Sequence, residues 1–245
     1  MKKLSIVVFL IASHMMCMAQ ESVLLRYKYN KGDQYEMTMN MKQEMGAAGG
    51  MNMKIQMAMN ISEAKGGIYT STIKVKNISM DMLQGGNVMS YDSTKSDDEL
   101  DEMGKQMKAQ FEPFMKATIM STSNSLGEVS ESTVEPNVPA LTQFKEQSNS
   151  IEYPEEKVAV DSTWSTEKNE QGMKMKMTYK VTEITKETVF VEVSGDVSGG
   201  GTGKITGKVE IDRVTGVQSK NDMEASIDAG GLEMKIFTNQ QVRKL

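Results

Sequence analysis

The chain has 245 residues, 38% apolar and 25% charged, with 33 acidic against 28 basic side chains and a net charge of −5. That balance, with no basic block, excludes the phosphate-neutralising surface that nucleic-acid binding requires. The length suits one large β domain or two small ones.

Met1-Lys2-Lys3, an apolar run from Leu4 to Ala12, and then Cys17-Met18-Ala19 before Gln20 follow the order of an export signal. Residues 1–19 are read as a signal peptide cleaved between Ala19 and Gln20, which leaves 20–245 as a single β-rich domain. The apolar run is too short to span a bilayer, and no later stretch approaches the roughly 20 apolar residues needed, so no transmembrane segment is expected. A lipoprotein signal also ends at a cysteine, but it places a small residue just before it. Here Met16 precedes Cys17, so lipidation of Cys17 is not expected. The chain is expected to be exported, and to act in the periplasm, at the outer membrane or outside the cell.

Cleavage removes Cys17 and His14, the only Cys and the only His. Thiol nucleophiles, His-based triads and His- or Cys-ligated metals go with them, and neither an enzyme nor a cofactor is expected. Without Lys2 and Lys3 the remainder carries 26 basic and 33 acidic residues, a net of −7. No disulfide is available, so packing and hydrogen bonds must supply the stability.

Along the chain the dominant pattern is alternation. Met37, Met39 and Met41 face one way and Thr38, Asn40 and Lys42 the other. Met51, Met53, Ile55, Met57, Met59 and Ile61 then alternate with polar residues, a period of two that marks a strand with one dry face. The pattern returns at Met173, Met175, Met177, Tyr179 and Val181, at Val189, Val191 and Val193, at Ile205, Val209 and Ile211, and at Leu232, Met234 and Ile236. One wet and one dry face indicates antiparallel sheet. Turn residues separate the runs: Asn30 to Asp33, Gly46 to Gly50, Lys65-Gly66-Gly67, Gly85-Gly86-Asn87 and Asp212 to Gly216.

One segment breaks the period. Leu100, Met103, Met107, Phe111 and Phe114 are spaced by three or four behind the acidic stretch Asp97 to Glu102, which predicts an amphipathic helix over about 96–115, ending near Pro113. A shorter helix is predicted from Pro139 to Gln147. The predicted fold is therefore mainly β: long-stranded antiparallel sheet, either two duplicated halves (22–135 and 150–245) or an open half-barrel, with one or two short helices in the middle of the chain. The duplication rests on paired patterns, Tyr35 and the Met-striped strand to Val75 against Trp164 and Tyr179 to Val193.

Several motifs resemble chemistry without supporting it. Ser71-x-x-Lys74 lies in a β-like run, where an offset of three points the two side chains to opposite faces. Gly199 to Lys204 lacks the first glycine and the helix of a phosphate loop and reads as a hairpin loop. The acids from Asp97 to Glu102 lack the alternation and turn glycine of a calcium loop, and carboxylates in a first helical turn are explained by the helix dipole. Trp164, the sole tryptophan, reads as a core anchor where a strand begins.

The methionines are the remaining signal: 24 in all, 20 of them after the leading segment. Thioethers suit Cu(I). Residues two apart on a strand, however, are separated by ~6.6 Å, whereas two sulfurs on one ion must lie roughly 4 Å apart. Neighbouring strands could bring sulfurs together, so copper binding is a lesser alternative, tested by changing Met51, Met53 and Met57 to Leu. The site residues are assigned no metal.

Lys31-Gly32-Asp33-x-Tyr35 before alternating methionines, Gly127-Glu128-Val129, the stretch from Tyr153-Pro154-Glu155-Glu156 to Asp161-Ser162-Thr163-Trp164, and the closing Asp212-x-x-Thr215-Gly216 resemble a family of secreted bacterial proteins known only as a domain of unknown function. Val160 stands where that family usually has Gly. The resemblance implies a β-rich envelope protein and no activity. More distantly, long curved strands with two helices resemble the open half-barrels of periplasmic lipoprotein carriers.

The expected function is non-catalytic: an envelope protein holding a lipid or another apolar small molecule against a Met-lined sheet face, since Met supplies flexible apolar lining. The candidate contacts are Met51, Met53, Met57 and Met59, then Met173, Met175 and Met177, with Met103, Met107 and Phe111 of the helix closing over them. The alternative is an interaction protein with a solid Met-rich core and an envelope protein as partner. A tight sheet-on-helix core favours the alternative, and a lined cavity favours the ligand.

Overall fold

The structure, a computed structural model, describes residues 21–138, 151–170 and 172–245. The signal peptide with its cleavage site, and the helix expected from Pro139 to Gln147, lie outside the described residues.

The first run of strands is β1 (Ser22–Val23), β2 (Gln34–Glu44), β3 (Gly50–Lys65), β4 (Ile68–Gln84) and β5 (Asn87–Asp92). Helix α1 (Glu102–Lys116) follows, then β6 (Thr118–Asn124) and β7 (Val129–Glu135). The second run is β8 (Val158–Ala159), β9 (Thr163–Glu170), β10 (Met173–Ile184), β11 (Thr188–Gly199), β12 (Thr202–Asp212), β13 (Gln218–Ala229) and β14 (Leu232–Lys244). Apart from the small β1–β8 pair, the strands join one antiparallel sheet of 12, ordered β7-β6-β4-β3-β2-β14-β13-β12-β11-β10-β9, with β5 pairing the far half of β4. The sheet is open, as the alternating pattern and the half-barrel reading anticipate. The last strand docks on the first long one: ten residue pairs, from Lys235–Glu44 to Lys244–Tyr35, join the two runs.

Register explains the alternation. A single cross-strand row passes through Tyr91, Met80, Met53, Met41, Thr238, Met223, Gly207, Val193, Tyr179 and Trp164, directly opposite one another from β5 to β9. Because side chains alternate with period two, every member of the row lies on one face. Between β3 and β4 two bulges reset that period: Lys76 is extra on β4 and Ser62 is extra on β3. The first lets Ile73 and Val75 share the dry face with Ile78, Met80 and Met82, although their parity differs.

That dry face is covered in two ways. Over the first run, α1 lays Met107, Phe111, Phe114 and Met115 on Met37, Met39, Ile55, Met57, Ile78 and Met80, with Tyr91 stacked on Phe111 at 5.5 Å. Over the second run, Val181, Val189, Val191, Val209 and Ile211 are almost completely buried, each contributing about 1.5–3 kcal/mol by leaving water. Their cover comes from residues 21–33 and 151–158, including Leu25, Tyr27, Ile151, Tyr153 and Val158.

The helix begins later than expected and ends at Lys116, within a residue of the expected Met115. Asp97–Glu99 form a separate 3-10 turn with a Ser96/Glu99 capping box, and the α-helix starts after Asp101, whose carboxylate accepts from the Gly104 N–H at 2.7 Å. It runs through Pro113 to that end. Proline removes one hydrogen bond and crowds the preceding turn, but here it falls in the last turn, where Phe114 and Met115 are anchored in the methionine core. The acidic stretch is accounted for by these caps. Gly199 to Lys204 spans the β11–β12 hairpin, as expected.

Candidate functional site

The segment before β2 carries Tyr27 and Tyr29 across the end of the sheet. The Tyr27 N–H donates to the Ser125 carbonyl at 2.8 Å, and the Tyr153 N–H donates to the Leu126 carbonyl at 2.8 Å, so both segments are pinned to the β6–β7 turn. Glycine is required at two contacts. At Gly127, φ is +94°, and a Cβ would sit 2.7 Å from the Ile151 carbonyl oxygen and from the Tyr27 ring. At Gly216, φ is +69° and a Cβ would run into the Arg26 backbone. Only a residue without Cβ tolerates both demands.

The result is a tyrosine cluster. Tyr27 stacks on Tyr29 at 5.8 Å and on Tyr153 at 4.9 Å, while Tyr29 meets Tyr35 and Tyr69 edge-on at 5.6 and 5.2 Å. Three hydrogen bonds hold polar ends of the cluster: the Tyr69 hydroxyl donates to the Tyr27 carbonyl at 2.9 Å, the Tyr153 hydroxyl to the Gly216 carbonyl at 2.7 Å, and Gln218 Nε2 to the Tyr27 hydroxyl at 2.7 Å. Burial pushes the Tyr27 phenol up to about 12, partly offset by the Gln218 hydrogen bond. Burial also raises Tyr29 and Tyr153 well above the usual tyrosine value.

Between this cluster and the methionine face lies a cavity of about 230 Å³. Met37, Met39, Met57, Met59, Ile61, Ile73 and Ile119 form its apolar wall, Tyr27, Tyr29 and Tyr69 face them, and Ser71, Ser121, Ser123, Gln218 and Gln240 add polar groups. On β13 Asn221 lies directly opposite Gln240, and its side-chain oxygen is buried without a hydrogen-bond partner, an arrangement that costs about 1–3 kcal/mol.

A larger trough, about 1010 Å³, opens on the other face. Two successive polar rows line it, one including Lys54, Asn40, Asn239, Asp222, Lys208, Glu192 and Lys180, the other Asp81, Asn52, Lys42, Phe237, Glu224, Thr206 and Ser194. Met41, Met53, Met80 and Met223 border it from the row between. The next dry-face rows, with Met39 and Met51, do not reach it, which places the trough on the polar side.

Of the ten contacts expected from sequence, Met57 and Met59 border the apolar cavity and the other eight do not. Met107 and Phe111 pack into the methionine core, and Met103 is 43% exposed. The helix thus covers a filled core, and the cavity lies beside it under the tyrosines. Met51 and Met53 lie in registers farther along β3. Met173, Met175 and Met177 lie on β10 in the other run, opposite Gly199, Val197 and Gly195 of β11. Met37 and Met39 were visible as alternating positions. Tyr27, Tyr29 and Gln218 carried no such signal.

Fold and site together define an open antiparallel sheet protein with a small apolar cavity at one end of its dry face. Residues 137–239 match a family of unknown function (DUF6263), so the expected resemblance to an uncharacterised family holds over that stretch. No curated protein matches the chain. Among solved structures, one described as "lipid-protein interactions in lipovitellin" is similar in fold, with a TM-score of 0.61 and 12% identity over 89% of this chain. This chain covers 25% of that one.

Proposed function

We propose that the protein is a non-catalytic, exported envelope protein that holds a lipid acyl chain or a similar apolar group in the cavity between the methionine face and the tyrosine cluster. The observation that carries this reading is the cavity itself: an apolar wall of flexible thioethers with a few polar groups at its margin, the usual composition of a small-molecule site. At about 230 Å³ it falls below the ~300–1,000 Å³ of drug-sized pockets, so it suits one acyl segment rather than a whole lipid. Methionine side chains repack readily and can widen it. Similarity in fold to lipovitellin supports the reading by analogy only.

Titration with a fatty acid that fluoresces only in apolar surroundings tests it. Saturable uptake of one equivalent is expected, and Ser121→Phe, which puts a ring into the cavity, should abolish it. Absence of uptake, or uptake unchanged in Ser121→Phe, contradicts the proposal.

A second reading, an interaction protein with a filled core, is favoured by the packing under α1. It assigns the partner to the polar trough. Uptake of acyl probe by the wild type and loss in Ser121→Phe would argue against it.

A further inference from the structure

We infer that Met51, Met82 and Met89, directly opposite one another on β3, β4 and β5, form a three-thioether site for a soft monovalent ion, Cu(I) or Ag(I). The inference does not rest on the acyl-chain reading.

Spacing along a single strand argues against metal binding, because neighbouring thioethers on one face lie ~6.6 Å apart. Pairing between strands removes that objection. Met51 lies opposite Met82, and Met82 opposite Met89, and Cβ atoms of directly opposed residues are only about 4.5–5.5 Å apart. Three rotatable bonds per side chain allow the flanking sulfurs to lean toward the central one. All three residues are partly exposed and packed at the margin of the methionine core, so an ion can reach them. The next row on the same strands supplies Met53 and Met80, a second rank of soft donors behind the first.

Composition across the sheet supports chemistry over packing alone. The dry face of the second run is built largely from Val181, Val189, Val191, Val209 and Ile211, and it is more completely buried than the first. That face also carries Met173, Met175, Met177 and Met223, but each lies opposite residues other than methionine, whereas Met51, Met82 and Met89 lie opposite one another. Thioether sulfur is soft and neutral, and residues 20–245 contain no Cys or His to compete for a soft ion. Selectivity for Cu(I) or Ag(I) over Zn(II), Mg(II) or Ca(II) follows from ligand type. The ligand set differs from Met51, Met53 and Met57, which sit in sequence along one strand.

Titration with Ag(I), and with Cu(I) under anaerobic reducing conditions against a chromogenic Cu(I) chelator, tests the site. One equivalent should bind the wild type, with an all-sulfur first shell by X-ray absorption. Met51→Leu/Met82→Leu/Met89→Leu keeps side-chain volume close to constant and should raise the free-ion concentration for half occupancy at least tenfold. Met82→Leu alone, which removes the central donor, should weaken binding in the same direction. Met173→Leu/Met175→Leu/Met177→Leu is the control: the same residue type and number, but spaced along one strand and opposite Gly199, Val197 and Gly195. It should bind like the wild type. No uptake by the wild type, undiminished uptake by the first triple variant, or equal loss in the control would overturn the inference.

Discussion

Raising the pH should unfold the protein by charging its tyrosine cluster, and Tyr27 sets the scale. Its phenol titrates at about 12 in the native state, against about 10 in an unfolded chain. The native state therefore holds that proton more tightly. Stability is unaffected well below pH 10 and falls as pH rises from 10 through 12. The difference between about 12 and about 10, at 1.36 kcal/mol for each factor of ten in proton affinity, amounts to roughly 2.7 kcal/mol from this one group. Tyr29 and Tyr153 are displaced in the same direction by burial, so the total loss should be larger. Urea unfolding at a series of pH values from 9 to 12, with tyrosinate absorbance recorded in parallel, measures both quantities. Tyr27→Phe should be less stable at neutral pH, because Gln218 Nε2 loses its acceptor at a cost of about 1–3 kcal/mol. It should also fall less steeply with pH, by one proton. If Tyr27→Phe follows the wild-type pH dependence, or every tyrosine of the folded protein titrates near 10, the buried cluster is refuted.

Three further outcomes follow from the packing. Met57→Ala, at a position 7% exposed beside the cavity, should cost about 3 kcal/mol and lower Tm by roughly 6–12 °C in calorimetry, since each kcal/mol moves a domain of this size by about 2–4 °C. A loss under 1 kcal/mol would mean that the wall is not close-packed there. Asn221→Leu removes a buried oxygen without a partner and should leave stability unchanged or raise it by about 1 kcal/mol in urea unfolding, whereas a large loss would mean that the oxygen is satisfied in solution. On the acid side, burial alone would raise the Asp33 carboxyl, but Lys244, the Asn30 N–H and the Tyr35 hydroxyl more than reverse this and hold it below the usual value. Its contribution is complete above the unfolded value of about 3.9 and disappears as pH falls through the native one. Asp33→Asn should flatten the acid limb of the stability profile, and an unchanged limb would exclude the contact.

The long strands were legible because burial of one face enforces a period of two, as in Met51 to Ile61. The helix was legible because Leu100, Met103, Met107, Phe111 and Phe114 keep the helical period. What alternation cannot report is which strands become neighbours. Docking of β14 on β2, and the bulges at Ser62 and Lys76 that switch parity within a strand, arise from long-range pairing. The candidate site was legible only in its methionine wall. Its opposite wall comes from Tyr27, Tyr29 and Tyr153, in segments with no regular period whose conformation is fixed by contacts with Gly127 and Gly216. The glycine motif at 127–129, the Tyr153-Pro154 stretch and Asp212 to Gly216 all read as short turns. In the structure these same stretches hold the tyrosine segments in place.

The cavity under the tyrosine cluster is expected to take an apolar chain. Native mass spectrometry of the protein purified gently from its native source tests this most directly. A bound apolar species, released on denaturation and absent from Ser121→Phe prepared in the same way, is the result predicted. Bare wild-type protein in repeated preparations, with no adduct after incubation with lipid, would contradict it.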